Sequence, residues 1–337
     1  MDTYQMPDVC LPFVTATHPQ AHRVQKLTEQ WCQEFGLLRS PDVVTKFSAL
    51  GYGRIMATLC PYVPLHTMSL ITDWNSFFFI ADDQQNNAIT TNRVGRYEDL
   101  VDAVRHVIAD DTHPTPADDH PIVAALRDLL CRTLPGRPPY WLARFRANLD
   151  LWLTGHLAEN SYRLSGTVPR VSEYISVRRN ASTVLPTLDL VEMAERAVIS
   201  DELYRTPQYR TLVLGTADIM CWINDIHSLH MEQDDPINFV TVLAHHEHLE
   251  TQRAMDAVAA RIAARVQDHL TAARELPLVM DGLEPSAQKA IMWCVRDQQS
   301  WAAGMETWDR TDTIRFADSE VPTRGTTASY VEDLLAD

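Results

Sequence analysis

Two stretches of this chain are apolar almost all the way round a helix: residues 68–81 (MSLITDWNSFFFIA) and 211–223 (TLVLGTADIMCWI). A helix of that kind has no face to give to water, so it must run through the inside of a bundle and not along its rim. Each gives way abruptly to polar residues, Asp82-Asp83-Gln84-Gln85-Asn86-Asn87 after the first and Asn224 to Glu232 (NDIHSLHME) after the second. The surrounding sequence is helical in pattern. Residues 97–109 put Leu100, Val101, Val104, Val107 and Ile108 on one face, and 252–274 do the same with Met255, Val258, Ile262, Val266 and Leu270. Residues 139–163 follow Pro138-Pro139 and carry Trp141, Phe145, Leu149, Trp152 and Leu153 at helical spacing. Glycine is scarce, 11 in 337 residues, and alternating runs bounded by tight-turn pairs are essentially missing, which speaks against strands. The expectation is an all-α bundle with no composition break, one domain over 1–337, whose ends at 1–20 and 317–337 are flexible or lid-forming.

The charge balance narrows the function. A net charge of −16 argues against a nucleic-acid partner, whose phosphates demand clustered Lys and Arg. A small anionic substrate remains open, because metal ions and a few placed arginines can hold a phosphate in an acidic protein. Cys10, Cys32, Cys60, Cys131, Cys221 and Cys294 are scattered with no CxxC pair, which reads as free thiols in a reducing compartment. No basic-then-apolar leader and no apolar run of membrane-spanning length is visible, so a soluble cytoplasmic chain is expected. The loop 110–121 (DDTHPTPADDHP) reads as solvated surface, and His245-His246-Glu247-His248, which lacks HExxH spacing, as a solvated helix face.

The two polar clusters carry the chemistry. On a helix Asp82 and Asn86 are four apart, as are Asp83 and Asn87, so their oxygens stack on one face. Hard divalent cations such as Mg²⁺ take carboxylate, water and substrate phosphate oxygens in place of a full protein cage. An Asp-Asp pair alone is also what a solvated helix end looks like. Asn224, Ser228 and Glu232 fall at i, i+4 and i+8, within roughly 80° of arc on a regular helix, and offer an amide, a hydroxyl and a carboxylate oxygen to one point. The apolar turns before them make a mere polar stripe a poor account. His227 and His230 flank this set and read as core or supporting hydrogen-bond partners.

The pattern N-D-x-x-S-x-x-x-E at Asn224–Glu232, with the aromatic-flanked Asp82-Asp83 upstream, resembles the class I terpene synthases of bacteria, most of all the sesquiterpene synthases. Further matches cover about residues 10–316. Tyr174-Ile-Ser-Val-Arg178-Arg179 resembles the segment with the diphosphate-sensing arginine, and Trp301-x-x-Gly304-x-x-x-Trp308 leading to Arg315-Phe316 resembles the C-terminal Arg-Tyr pair. Leu11-Pro12-Phe13 with His18-Pro19 and Trp31, then Glu159 with Arg163, and Asp234 to Val240, also fit. Four departures stand out: Asn86 and Asn87 in place of the distal acid, Met231 where a basic residue commonly precedes the triad's Glu, Phe316 for Tyr, and Ala181-Ser182 at the helix break.

The resemblance implies a helical bundle around a central active-site cavity and a Mg²⁺-dependent enzyme that ionises an allylic prenyl diphosphate, farnesyl diphosphate by preference. Three Mg²⁺ are held by Asp82, Asp83, Asn224, Ser228 and Glu232, with Asn86, Asn87 and Asp225 supporting them through hydrogen bonds. Arg178 and Arg315 are the catalytic arginines. Arg178, Arg179, Arg315 and Ser182 bind the diphosphate end of the substrate, while Phe78, Phe79, Trp301 and Trp308, core aromatics by residue type, line the cavity. A small-molecule substrate, no nucleic acid and no membrane complete the expectation, with a homodimer left open. The other readings are a diterpene synthase using the C20 substrate, a weak or inactive relative, a prenyl transferase, against which the Asn/Ser/Glu set counts, and a helical scaffold without a site.

Overall fold

A computed structural model describes residues 4–110, 112–113, 120–232, 235–316 and 328–336. Among them run α1 (Ala21–Glu34), α2 (Pro41–Leu50), α3 (Tyr52–Leu59), α4 (Leu65–Thr90), α5 (Val94–Ala109), α6 (Pro121–Thr133) and α7 (Pro139–Ser165). There follow α8 (Val171–Ala181), α9 (Val184–Ala194), the single turn α10 (Asp201–Tyr204), α11 (Pro207–Ser228), α12 (Phe239–Glu247), α13 (Thr251–Val279) and α14 (Pro285–Thr307). A π turn, Trp308–Asp312, continues α14, and no strand occurs among the described residues. Five of these helices, α2, α6, α7, α11 and α14, start with proline in the first turn, where its missing N–H costs nothing.

The periodic segments are helices as expected, but the polar clusters sit differently on them. The helix over 68–81 does not stop at Ala81; α4 runs on through the cluster to Thr90. It can do so because the polar side chains are satisfied inside the protein and not by water. Gln84 donates to the Glu332 carbonyl (2.9 Å) and accepts from the Leu334 N–H (2.8 Å), while Gln85 donates to the His156 carbonyl and to Asn160 Oδ1 (both 3.0 Å). Conversely α11 ends at Ser228, so Glu232 lies past the helix and not on its third turn. A further turn still follows, with the Met231 and Glu232 N–H groups donating to the Ser228 carbonyl at 2.8 and 3.0 Å, which keeps Glu232 near the expected direction.

Aromatic packing fixes the rotation of α4. Trp74 meets Phe145 of α7 edge-on at 5.4 Å, and Phe78 meets Trp152 at 5.1 Å. Such pairs add about 0.5–1.5 kcal/mol each beyond area burial, enough to prefer one rotation over its neighbours. With that face turned to α7, Asn75, Phe79, Asp82 and Asp83 are left on the wall of an internal cavity. Gly155 brings α7 against the α8–α9 break: a Cβ there would lie 2.6 Å from Ala181 Cα, so only glycine allows the approach.

The described parts of both ends pack on the body of the protein. Ahead of α1, Ala16 N–H donates to Ser300 Oγ (3.2 Å) and the His18 ring bonds the Val63 carbonyl (3.1 Å). The last residues, 328–336, return to α2, α4 and α5. Glu332 accepts from the Arg39 and Ser40 N–H groups at 2.8 and 2.7 Å, Asp333 pairs with Arg93, and Leu334 and Leu335 are buried. Residues 1–3, 317–327 and 337, and most of the loop 110–121, lie outside the described residues.

Gly155→Ala should lower unfolding stability by about 1–3 kcal/mol, the usual cost of overpacking a tight contact. Urea denaturation checks it, and an unchanged midpoint would mean that the α7–α8 contact is looser than described.

Candidate active site

One cavity of about 500 Å³ opens between α4, α7, α11, α14 and the break between α8 and α9, within the usual size of a small-ligand site. Its two polar patches come from the C-terminal halves of the two apolar helices. On the α4 wall, Asp83 is buried and gripped by Arg315, whose Nη2 and Nη1 donate to its two oxygens at 2.9 and 3.2 Å. Asp82, more exposed, lies 3.5 Å from the same guanidinium. Burial pushes the Asp83 carboxyl up to about 6 in spite of Arg315, which pulls it down. Arg315 is itself enclosed, with the Phe79 ring 5.0 Å and the Tyr330 ring 5.5 Å from its carbon, and its Nη1 3.3 Å from the Tyr52 hydroxyl.

Behind Asp82 stands His156, fully buried on α7 and held by burial at about 4, hence neutral. The Trp152 indole N–H can only donate, and it reaches His156 Nε2 at 2.9 Å, so Nδ1 is assigned the proton and points it at the Tyr97 oxygen. With Nε2 an acceptor, its 3.6 Å approach to Asp82 Oδ1 is no ion pair. Asp82 therefore has Arg315 as its cation and lines the cavity.

The facing wall is built on α11. Asn224 Oδ1 accepts from Arg178 Nη2 (2.9 Å), and the buried Asp225 beside it accepts from Arg178 Nε (2.9 Å), the Tyr174 hydroxyl and the Phe239 N–H (2.8 Å). Asp225 is thus a buttress that turns Arg178 and Asn224 toward the cavity, and it does not line the cavity itself. Ser228 Oγ is buried and has no hydrogen-bond partner among the described residues, a cost that a ligand to the oxygen would remove. Glu232 accepts from Asn238 Nδ2 (3.0 Å), and burial together with Asp235 and Asp225 raises its carboxyl above the ordinary range. Between the walls, Arg163 of α7 pairs with Asp235 (2.9 Å) and Glu159 (3.5 Å) and reaches Asn86 Oδ1 (3.4 Å). That environment gives the asparagine at 86 a physical reason, since Arg163 already has two carboxylates. Asn87 and Ser182 also line the cavity, Ser182 at the end of α8.

Two expected binding residues are placed elsewhere. Arg179 is one residue, about 100° round the helix, from Arg178. It turns away from the cavity to a buried Asp218 (2.6 and 2.7 Å) that also takes Arg265. Trp308 lies behind the cavity wall, its indole donating to the Leu50 carbonyl (2.8 Å) and its ring against Phe79 at 5.9 Å, so it backs a lining residue without lining the site. Phe78, Phe79 and Trp301 do line it. His230 bonds the Phe316 carbonyl (3.0 Å), tying the Arg315 segment to the end of α11.

Sequence reasoning missed Asn75, Tyr52, His156 and Tyr330. Asn75 sits seven residues before Asp82, a spacing that was there to be read. Tyr330 offered no signal, because only the fold returns the tail to the cavity.

Among the described residues no three His, Cys, Asp or Glu side chains converge as a metal cage. The oxygens are divided between two walls, and one set is an amide and a hydroxyl with a carboxylate. Hard oxygen donors that leave positions for water and substrate suit a divalent cation bound together with an anionic ligand.

Residues 73–268 match the family model described as terpene synthase family 2, C-terminal metal binding, and the chain belongs to that family. Among its relatives are the pristinol synthase of Streptomyces pristinaespiralis, 31% identical over 88% of this chain and 82% of that one, and a corvol ether synthase of Kitasatospora setae that cyclises farnesyl diphosphate, 24% identical over 93% and 96%. A hedycaryol synthase structure superposes with a TM-score of 0.80, covering 92% of this chain and 99% of its own at 21% identity. The chain is a terpene synthase with an all-α fold, and a divalent metal belongs to its family's chemistry. No described helix is long and apolar enough to cross a membrane.

Tyr174→Phe removes a hydroxyl donor from the buried Asp225 carboxylate and should cost about 1.5–3 kcal/mol. Chemical denaturation reads this directly; a stability unchanged from the parent would show that Arg178 and Phe239 suffice to hold Asp225.

Proposed function

We propose that this chain ionises an allylic prenyl diphosphate, farnesyl diphosphate before its C10 and C20 homologues, and folds the resulting carbocation into a cyclic product with release of diphosphate. The observation that carries the reading is a single cavity with two oxygen-rich walls and an arginine on each, Asp82, Asp83 and Arg315 facing Asn224, Ser228, Glu232 and Arg178, above an apolar interior. Asp82, Asp83, Asn224, Ser228 and Glu232 would hold Mg²⁺, three ions in all, and the unpartnered Ser228 hydroxyl is the feature of the site that most asks for one. Bound there, Mg²⁺ supplies Lewis-acid neutralisation of the leaving group.

The chain's own groups account for the rest. Arg178 and Arg315 are planar forks suited to phosphate oxygens, and each already has a carboxylate partner that orients it. Phe78, Phe79 and Trp301 line the cavity, and an aromatic ring facing a carbocation in a dry site stabilises it by about 0.5–2 kcal/mol. The Arg315 segment and Tyr330 close one side and exclude bulk water, which would otherwise quench the cation. The named activity of the corvol ether synthase supports the C15 substrate.

Incubation with geranyl, farnesyl and geranylgeranyl diphosphates plus Mg²⁺, followed by diphosphate assay and gas chromatography–mass spectrometry, tests the reading. The largest release is expected from the C15 substrate, and no release from any of the three would sink the proposal. Asn224→Ala and Glu232→Ala should each lower turnover about 10²-fold or more, the scale of losing a group that stabilises leaving-group charge, with circular dichroism unchanged.

The pH dependence follows from the raised carboxyls. Below about 6 Asp83 carries a proton and cannot ligate, and Glu232 is raised in the same direction. Activity should therefore fall as the pH drops through about 6, and more Mg²⁺ should move the midpoint down, because cation and proton compete for the same oxygens. A midpoint indifferent to Mg²⁺ would assign the profile to other groups.

A further inference from the structure

Asn75 is a polar residue of the cavity lining that the ionisation step does not use. Asn75 stands on α4 seven residues before Asp82, about 10.5 Å along the axis and 20° off the same face. Both metal-facing patches lie toward the C-terminal ends of α4 and α11, so the turns before them form the apolar part of the cavity. There Asn75 shares the lining with Phe78 and Phe79, one turn on along α4, and with Met220 of α11. Asn75 is 4% exposed, and its Nδ2 finds no hydrogen-bond partner among the described residues. Its polar neighbours on α4 are otherwise placed: Thr72 donates to the Met68 carbonyl at 2.8 Å and Ser76 pairs with the Thr28 hydroxyl at 2.9 Å.

A carboxamide that lines the cavity and makes no hydrogen bond among the described residues is a poor stabiliser of the fold and a good holder of a small polar molecule. Its oxygen accepts a hydrogen from water, and its N–H donates. Trp301 lines the same cavity.

We propose that Asn75 is a hydration site: it holds the water that attacks the carbocation, so that the principal product is a terpene alcohol and not a hydrocarbon. The inference rests on the ionisation reading of the preceding subsection. With one hydrogen of the water bonded to Asn75 Oδ1, a lone pair is free to form the C–O bond to the cationic carbon. The protonated alcohol then loses its extra proton to the released diphosphate. Prenyl diphosphate and water go in, and the alcohol and diphosphate come out, with nothing oxidised or reduced.

The test is turnover of farnesyl diphosphate with Mg²⁺ in ¹⁸O-labelled water, for the full chain and for Asn75→Leu, a swap of similar volume without the amide. The parent is expected to give an alcohol carrying ¹⁸O. The variant's alcohol-to-hydrocarbon ratio, a partition that does not depend on turnover, should fall about tenfold, the size of one lost hydrogen bond. A hydrocarbon as the parent's main product, or an alcohol without label, overturns the proposal whatever the variant does. An unchanged ratio in folded Asn75→Leu overturns Asn75 as the site. Absence of diphosphate release from the parent overturns the ionisation reading instead, so the two failures are distinct.

Discussion

Carboxylates are brought out of water around one cavity, and only some of them are answered by arginine. Burial in low dielectric penalises each ionised group, and pairing recovers only part of that cost. Arg315 meets Asp83 and Asp82, Arg178 meets Asp225, and Arg163 meets Asp235 and Glu159, while Ser228 Oγ and one oxygen of Glu159 have no hydrogen-bond partner among the described residues. A fold that tolerates such a site must be anchored elsewhere. The aromatic contacts of α4 with α7 and the Arg179–Asp218–Arg265 cluster that ties α8, α11 and α13 supply that anchoring away from the cavity. The arginines are consequently held in orientation before any ligand arrives.

Much of this was legible in the sequence, for a physical reason. A helix that is apolar all round can only be central, so 68–81 and 211–223 announced the two helices that form the facing walls, and the polar residues after them announced where the walls turn functional. What could not be read was where a helix stops. Glu232 looks helical by spacing, yet α11 ends at Ser228, because the turn beyond is set by Asn238 and by Ser228's carbonyl, not by local propensity. Likewise the run Asp82–Asn87 reads as a solvated end, whereas Gln84 and Gln85 are fully buried and bonded to the chain's last residues and to α7. Those partners are 248 and 71 residues away, beyond any window over which a sequence pattern acts.

The two misplaced residues show a second limit. Arg178 and Arg179 are equally basic and adjacent, and nothing local says which will face the cavity. The choice is made by Asp225 on one side and Asp218 on the other, each fully buried and each needing a cation. Trp301 and Trp308 likewise lie seven apart, about two turns along one helical run, yet Trp301 lines the cavity while Trp308 reaches the Leu50 carbonyl behind its wall.

The departures from the family pattern fall where the structure has other groups at hand. Asn86 meets Arg163, whose charge is already balanced, so a third carboxylate there would face repulsion from Glu159 and Asp235 without a free cation to answer it. Phe316 lacks a phenol, but the cavity wall around Arg315 has two, Tyr52 within hydrogen-bond reach and Tyr330 with its ring toward the guanidinium, the latter delivered by the returning tail. Charge balance and hydroxyls near the leaving-group end are thus set by which elements converge on Arg315 and Arg163, and not by the motif residues alone. That shifts the question of competence from the missing motif letters to whether α7 and the tail stay in place. The hydrogen bonds of Gln85 to α7 and of Gln84 and Glu332 to and from the tail are what keep them there.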